Sequence, residues 1–163
     1  MAGTDLYPVA GAKIYIGPVT ATKADDFVAG DFSSTEGDWT EVDGWENAGT
    51  KGDTAQTITT SLINRKRDTK QKGTRNAGSM ENQFADLPAD AGQQAMKAAE
   101  KTSDNFAFRI VYDDMPSGGT SGTTHYFVGL VMSWTDQGGG ANGVRMRGST
   151  IEINSNIVEV AAA

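Results

Sequence analysis

The chain has 163 residues, 37% of them hydrophobic, with 14 Lys and Arg against 21 Asp and Glu, a formal net charge of −7 and a pI near 4.6. That length suits one domain around one core, and the acid excess excludes an ordinary nucleic-acid grip, which needs clustered cations. The absence of cysteine excludes disulfides, thiolate metal sites, iron–sulfur clusters and cysteine nucleophiles together.

Met1 to Pro18 carries no basic start followed by an apolar run, and no stretch approaches the ~18 consecutive apolar residues of a membrane span, so neither an export address nor a membrane partner is expected. The first predicted strand is Gly11-Ala12-Lys13-Ile14-Tyr15-Ile16-Gly17, closed by Gly17-Pro18. From Lys23 to Asp53 the sequence turns acidic and Gly-punctuated, which predicts a long loop with Trp39 to Val42 as its one strand-like stretch. Ala55 to Ile63 alternates Thr57, Thr59 and Ser61 against Ile58, Thr60 and Leu62, the period of a strand with one buried face. Ser79 to Phe84 reads as its partner in a hairpin whose tip is Asn64 to Gly73.

One helix is predicted, starting at Pro88 with Asp90 in its first turn and running to Lys101; its expected buried stripe is Leu87, Ala91, Ala95, Ala98 and Ala99. Phe106, Phe108, Ile110 and Tyr112 share one face of a strand, and Tyr126, Val128, Leu130, Met132 and Trp134 one face of the next. Val144 to Ile153 and Ile157 to Val160 form a last pair, joined to what precedes them by the Gly138 to Gly143 turn. The expectation is a single domain over residues 1–163 of mainly β (α+β) class: an antiparallel β-sandwich or partly closed β-barrel with one flanking α-helix and long loops.

Candidate chemistry is sparse. Gly138 to Gly143 satisfies G-x-G-x-x-G, but the residues after it read as a strand rather than the helix a dinucleotide site needs. Asp31 to Val42 invites a calcium-loop reading, yet Glu36 occupies the sharp-turn Gly position and Val42 the bidentate Glu position. His125 is the single histidine and has no neighbouring nucleophile, so neither a two-histidine metal site nor a triad is indicated. No catalytic residue, cofactor or metal is assigned.

Charge segregation is the informative feature. Arg65, Lys66, Arg67, Lys70, Lys72 and Arg75 lie within eleven positions and make up six of the fourteen basic residues. Asp25 to Asp53 carries Asp25, Asp26, Asp31, Glu36, Asp38, Glu41, Asp43, Glu46 and Asp53 against Lys23 and Lys51. Opposite patches at different places on one protomer make head-to-tail contacts, which generate rings or filaments. The basic stretch lacks the interleaved aromatics of a single-strand binder, which favours self-contact.

The succession of Gly11 to Gly17, Trp39-Thr40-Glu41-Val42, Gly49-Thr50-Lys51-Gly52-Asp53, Ile58 to Leu62 and Asp68-Thr69-Lys70-Gln71-Lys72-Gly73-Thr74-Arg75-Asn76-Ala77-Gly78-Ser79 resembles the major tail tube proteins of siphophages. The helix from Pro88, Phe106 to Tyr112, Tyr126-Phe127-Val128-Gly129-Leu130-Val131 and Ile151-Glu152-Ile153-Asn154 continue the resemblance in order, from Gly11 to Val160. It implies a non-enzymatic virion protein, assembled in the host cytoplasm into hexameric rings that stack as a hollow tail tube. The implied partners are further copies of the chain, a tape-measure protein, and tail terminator or baseplate and tip proteins. Double-stranded DNA would pass through the lumen without specific binding, and the net negative charge suits such a wall. Similar subunits build contractile tails and type VI secretion tubes. The implied interface joins Arg65, Lys66, Arg67, Lys70 and Lys72 at the hairpin tip to Asp38, Glu41, Asp43 and Glu46 of a neighbour. Two alternatives stand beside this: a carbohydrate- or ligand-binding β-sandwich using Trp39, Trp45 and Trp134, and a capsid decoration protein.

Overall fold

The computed structural model describes residues 5–163, so the first four residues of the Met1 to Pro18 segment lie outside it. In chain order the elements are β1 (Lys13–Val19), β2 (Thr40–Glu41), β3 (Trp45–Asn47), β4 (Thr54–Thr60), β5 (Thr69–Asn76), β6 (Ser79–Ala85), α1 (Ala91–Glu100), β7 (Phe106–Val111), β8 (Thr124–Val131), β9 (Thr135–Gln137), β10 (Met146–Ile153) and β11 (Val158–Val160). The main sheet is antiparallel and runs β2-β1-β7-β8-β10-β6-β3, with β11 on β8 and β9 on β10; β4 and β5 form a separate two-stranded ribbon.

β2 and β3 stand at opposite ends of this sheet, yet Glu41 and Trp45 are four residues apart, and four extended residues span at most ~14 Å. The sheet must therefore curl until its ends meet. Val42 N–H donates to Ile14 O at 2.9 Å on one side of the seam, and Ala85 N–H to Gly44 O at 2.7 Å on the other. Of the two arrangements expected, this is the partly closed barrel. β3 was hidden in the predicted loop because three residues carry almost no periodicity.

The inner face gathers Ile14, Ile16, Met80, Phe84, Phe108, Ile110, Phe127, Val131, Ile151 and Ile153 into one core, onto which α1 lays Met96 and Ala99. The helix begins at Ala91, capped by Asp90, whose carboxylate accepts Gln93 N–H at 2.9 Å and Asp43 N–H at 3.2 Å. Its buried residues are Gly92, Gln93, Met96 and Ala99, with Ala95 half-buried; Leu87, Ala91 and Ala98 are exposed, so the expected alanine stripe is rotated. Gly92 explains the rotation: a Cβ there would stand 2.0 Å from Glu41 O, so only a glycine lets the helix approach the seam this closely.

The outer face is half covered. Residues 20–39 form a strap with 3₁₀ turns at Ala29–Asp31 and Glu36–Asp38, and it buries Phe27, Phe32 and Trp39 against Ala107 and Val128. β8 is therefore apolar on both faces, Phe127 and Val131 inward and Val128 outward with Tyr126. The expected single face of Tyr126, Val128, Leu130, Met132 and Trp134 splits accordingly: Met132 is exposed, and Trp134, past the strand end, joins the inner core beside Phe84.

Two expected pairings change. Ala55 to Ile63 does not pair with Ser79 to Phe84; β4 pairs with β5, with Thr57 opposite Lys72 and Thr60 opposite Thr69. β6 instead lies between β10 and β3, because Met80 and Phe84 are core residues, whereas Thr69 to Asn76 has no large apolar side chain to bury. β11 pairs with β8 rather than β10, while the Gly138 to Gly143 turn joins β9 to β10 as a hairpin. β1 runs past Gly17-Pro18 to Val19 through an irregularity in its register with β7.

Candidate functional site

Both faces of the β4–β5 ribbon meet solvent, contrary to the buried face its alternation predicts; Ile58 is 43% exposed. An isolated two-stranded ribbon is marginal in water, and its free edges are templates for another chain. The register separates its faces by chemistry. Lys70 opposite Thr59 and Lys72 opposite Thr57 make one face cationic; Ile58 opposite Gln71 and Thr60 opposite Thr69, with Gly73 against Ile58, make the other uncharged. Arg65, Lys66 and Arg67 occupy the exposed turn between Thr60 and Thr69, braced by Arg65 N–H to Leu62 O at 3.1 Å. Among the described residues these five cations make no ion pair, whereas Arg75 at the ribbon root lies 3.9 Å from Asp53.

The acidic set lies along or beside the barrel seam. Asp38 ends a 3₁₀ turn and accepts the Ser33 hydroxyl; Glu41, in β2, stands 3.8 Å from Lys13 Nζ; Asp43 accepts Gly44 N–H at 2.7 Å; Glu46 is exposed in β3. Of the four, Glu41 alone has an ion-pair partner among the described residues, and no bond joins this set to the ribbon cations within one subunit. Asp31 and Glu36 of the acidic stretch are spent internally. Asp31 is held below the usual carboxylate range by its bonds from Lys23 and Val28 N–H. Glu36 is held low by a two-pronged bond from Arg109, at 3.0 and 3.2 Å, and by its charge.

Arg109 was not singled out in the sequence. It is 8% exposed, lies 4.2 Å from the Tyr15 ring and 5.1 Å from the Trp39 ring, and pins the strap through Glu36. Burial alone would lower its pKa, but Glu36 overrides that and raises it, so the cation is permanent. A lone Arg within an otherwise apolar strand was the available signal.

Beyond the strap the outer sheet face is bare and polar. Ser79, Glu81 and Gln83 of β6 stand opposite Glu152, Thr150 and Gly148 of β10, and Thr135 and Gln137 of β9 extend this face. A groove of about 250 Å³ runs there, lined by Asn47, Glu81, Gln83, Thr135, Gln137 and Thr150. The face has two carboxylates and no cation at its paired positions. Asp86 and its partners Arg145, at 2.6 Å, and Arg147, at 3.3 Å, lie away from it, because Arg147 pairs opposite Phe84 on the inner side.

The three tryptophans do not make a common face. Trp39 is buried under the strap at 6% exposure, while Trp45 and Trp134 pack on the inner core, so the carbohydrate-binding alternative loses its platform. Among the described residues no group of three or more His, Asp and Glu could hold a metal, and no helix is long and apolar enough to cross a membrane.

No family model matches the chain, and no curated protein matches it. Solved structures do. A chain of an extracellular contractile injection system, the PVC sheath/tube terminator in its extended state, superposes with a TM-score of 0.70 at 11% identity, covering 98% of this chain and 100% of that one. A chain of the PVC sheath–tube complex in its extended state gives 0.68 at 12%, covering 99% and 95%. The SPP1 tail tube gives 0.66 at 12%, covering 94% and 80%. Identity this low carries the fold, and at that level the resemblance read from the order of sequence elements is borne out: the chain has the fold of tail tube and tube-terminator proteins.

Proposed function

We propose that the protein is a structural, non-enzymatic subunit of a phage-like tail tube, six copies closing a ring and rings stacking into a hollow conduit. One observation carries the reading beyond the shared fold: a ribbon of two long strands, solvated on both faces, bears five cations without an ion-pair partner among the described residues. Arg65, Lys66, Arg67, Lys70 and Lys72 then meet Asp38, Glu41, Asp43 and Glu46 of a neighbouring copy in a head-to-tail contact. Each exposed pair is worth only ~0–1 kcal/mol, so the contact depends on repetition around a ring. Charge attraction sets the register, and the free ribbon edges and the Ile58 face supply the rest.

The bare face of β6 and β10 suits the channel wall. Glu81 and Glu152, with no cation at the paired positions of that face, repel phosphates, and double-stranded DNA slides past without a specific hold. A tape-measure protein inside the tube and terminator and baseplate or tip proteins at its ends complete the assembly, which forms in the host cytoplasm and ends in the virion tail. Reversing Arg65, Lys66 and Arg67 to Glu is expected to abolish polymerisation while thermal unfolding of the subunit stays unchanged. Normal tubes from that variant would remove the pairing.

A further inference from the structure

The loop between β9 and β10 holds the chain's one Asn-Gly step: of eight asparagines, Asn142 alone precedes a glycine. The fold sets it apart from the others. Asn76 accepts Gly78 N–H at 2.8 Å, Asn82 is 2% exposed and accepts Gly49 N–H at 3.1 Å, Asn154 donates to Asn105 at 3.1 Å, and Asn156 accepts Phe27 N–H at 2.7 Å. Asn47 and Asn64 are exposed, but they precede Ala48 and Arg65, whose side chains crowd the following backbone nitrogen. Asn142 lies in a stretch exposed from Gly138 to Arg145, and a Cβ placed on Gly138, Gly139 or Gly140 would meet no atom within 4 Å. Glycine backbone has the widest conformational range, and the turn is closed by an exposed backbone bond, Gly143 N–H to Gly140 O at 3.0 Å.

We propose that Asn142–Gly143 is a site of spontaneous covalent modification in the native subunit, with water as the reagent and the Gly143 backbone nitrogen as the nucleophile. That nitrogen, having lost its proton to solvent base, attacks Asn142 Cγ. The N–Cγ bond forms, the Cγ–Nδ2 bond breaks, and ammonia leaves with a proton from water, which closes a five-membered succinimide. Water then adds to either ring carbonyl. Addition at Cγ breaks the new N–Cγ bond and leaves aspartate; addition at the main-chain carbonyl breaks the original peptide bond and leaves isoaspartate, with the chain running through Cβ. The sum is one water consumed and one ammonia released, with no change of oxidation state.

The one Asp-Gly step, Asp43–Gly44, is guarded where Asn142 is not. Gly44 has φ +77°, its carbonyl accepts Ala85 N–H at 2.7 Å across the seam, and its own N–H is engaged by Asp43 Oδ1 at 2.7 Å. An ionised carboxylate also repels a nitrogen anion, whereas the Asn142 amide is neutral. At Asn142 the restraint is the turn bond to Gly140, and opening an exposed bond of this kind slows the reaction by about tenfold at most. The product adds one negative charge to a chain of formal charge −7, next to Gln137 on the face that carries Glu81 and Glu152. In the isoaspartate form the backbone gains one methylene, which the uncrowded glycines absorb without disturbing the pairing of Gln137 with Met146. The site belongs to the free subunit and does not depend on the tube reading.

Native and urea-unfolded protein, held side by side in mildly alkaline buffer and then digested briefly with trypsin, test the proposal. The peptide from Ile110 to Arg145 contains Asn142 as its one asparagine. It should gain the mass difference between a hydroxyl and an amino group, with fragmentation placing the change at Asn142 and not at Gln137, and an isoaspartyl methyltransferase should label it. The native rate should lie within about tenfold of the unfolded rate and rise about tenfold per pH unit, as the population of the nitrogen anion does, while circular dichroism stays native. Gly143 has no positive φ, so Gly143→Ala keeps the turn, and its Cβ should slow the reaction by on the order of tenfold. Retention of the Asn142 amide in the native protein, whether or not the unfolded chain loses it, would overturn the proposal; so would equal rates in Gly143→Ala and the parent.

Discussion

Arg109→Ala is expected to destabilise the subunit by about 3 kcal/mol, because one guanidinium fastens the strap to the sheet in three ways. It stacks on Tyr15 and Trp39, at 4.2 and 5.1 Å, contacts worth about 0.5–1 kcal/mol each. It holds Glu36 with two bonds of 3.0 and 3.2 Å. Because the Glu36 side chain is 80% exposed, that pair belongs near the top of the exposed-pair range, about 1 kcal/mol. The emptied space under Trp39 adds about 1 kcal/mol. In a chain of this length the total lowers Tm by roughly 6–12 °C, at about 2–4 °C per kcal/mol. Glu36→Gln should cost about 1 kcal/mol, and the double variant little more than Arg109→Ala alone, since the two residues share one interaction. Glu36 is held below its ordinary 4.5 in the folded chain. Its contribution is therefore present above 4.5 and is lost as pH falls through the lowered value, and Arg109→Ala should flatten that part of the pH–stability curve. Urea unfolding across pH measures all of this. A cost below about 1 kcal/mol for Arg109→Ala, or equal costs for the two single variants, would refute the latch.

Two further outcomes follow from the same geometry. Gln93 donates to Asp43 O at 2.8 Å and Ala85 O at 2.7 Å and accepts Leu87 N–H at 3.0 Å; Gln93→Ala should lose about 3 kcal/mol, about 1 for each bond, in chemical denaturation. Glu81→Lys with Glu152→Lys should leave tubes intact by microscopy but make them retain double-stranded DNA at low salt, with a hold that weakens steeply as salt rises.

Elements with strong local signals were legible: Phe106 to Val111 and the β9–β10 turn lie where their patterns place them, and the helix exists as expected but starts at Ala91 rather than Pro88, because Asp90 caps it instead of sitting in its first turn. Failures have local causes. Ile58 alternates with threonines as a half-buried strand would, yet it is 43% exposed, because alternation reports a face to be covered and not which molecule covers it. β8 misled by having apolar residues on both faces, and a sheet covered by a strap outside and a helix inside needs that. The helix stripe rotated because Gly92 and Gln93, a residue without a side chain and a polar one, make the closest contacts, and hydrophobic patterning is blind to both. Of the candidate site, the segregation of charge was visible in the residues. Glu81 and Glu152 were not, since their place on one face depends on the pairing of β6 with β10.

Whether the subunit assembles can be seen by electron microscopy of the purified protein over a concentration series at low and moderate salt. Hollow filaments with six-fold annular end views are expected. Compact single particles under every condition would contradict assembly.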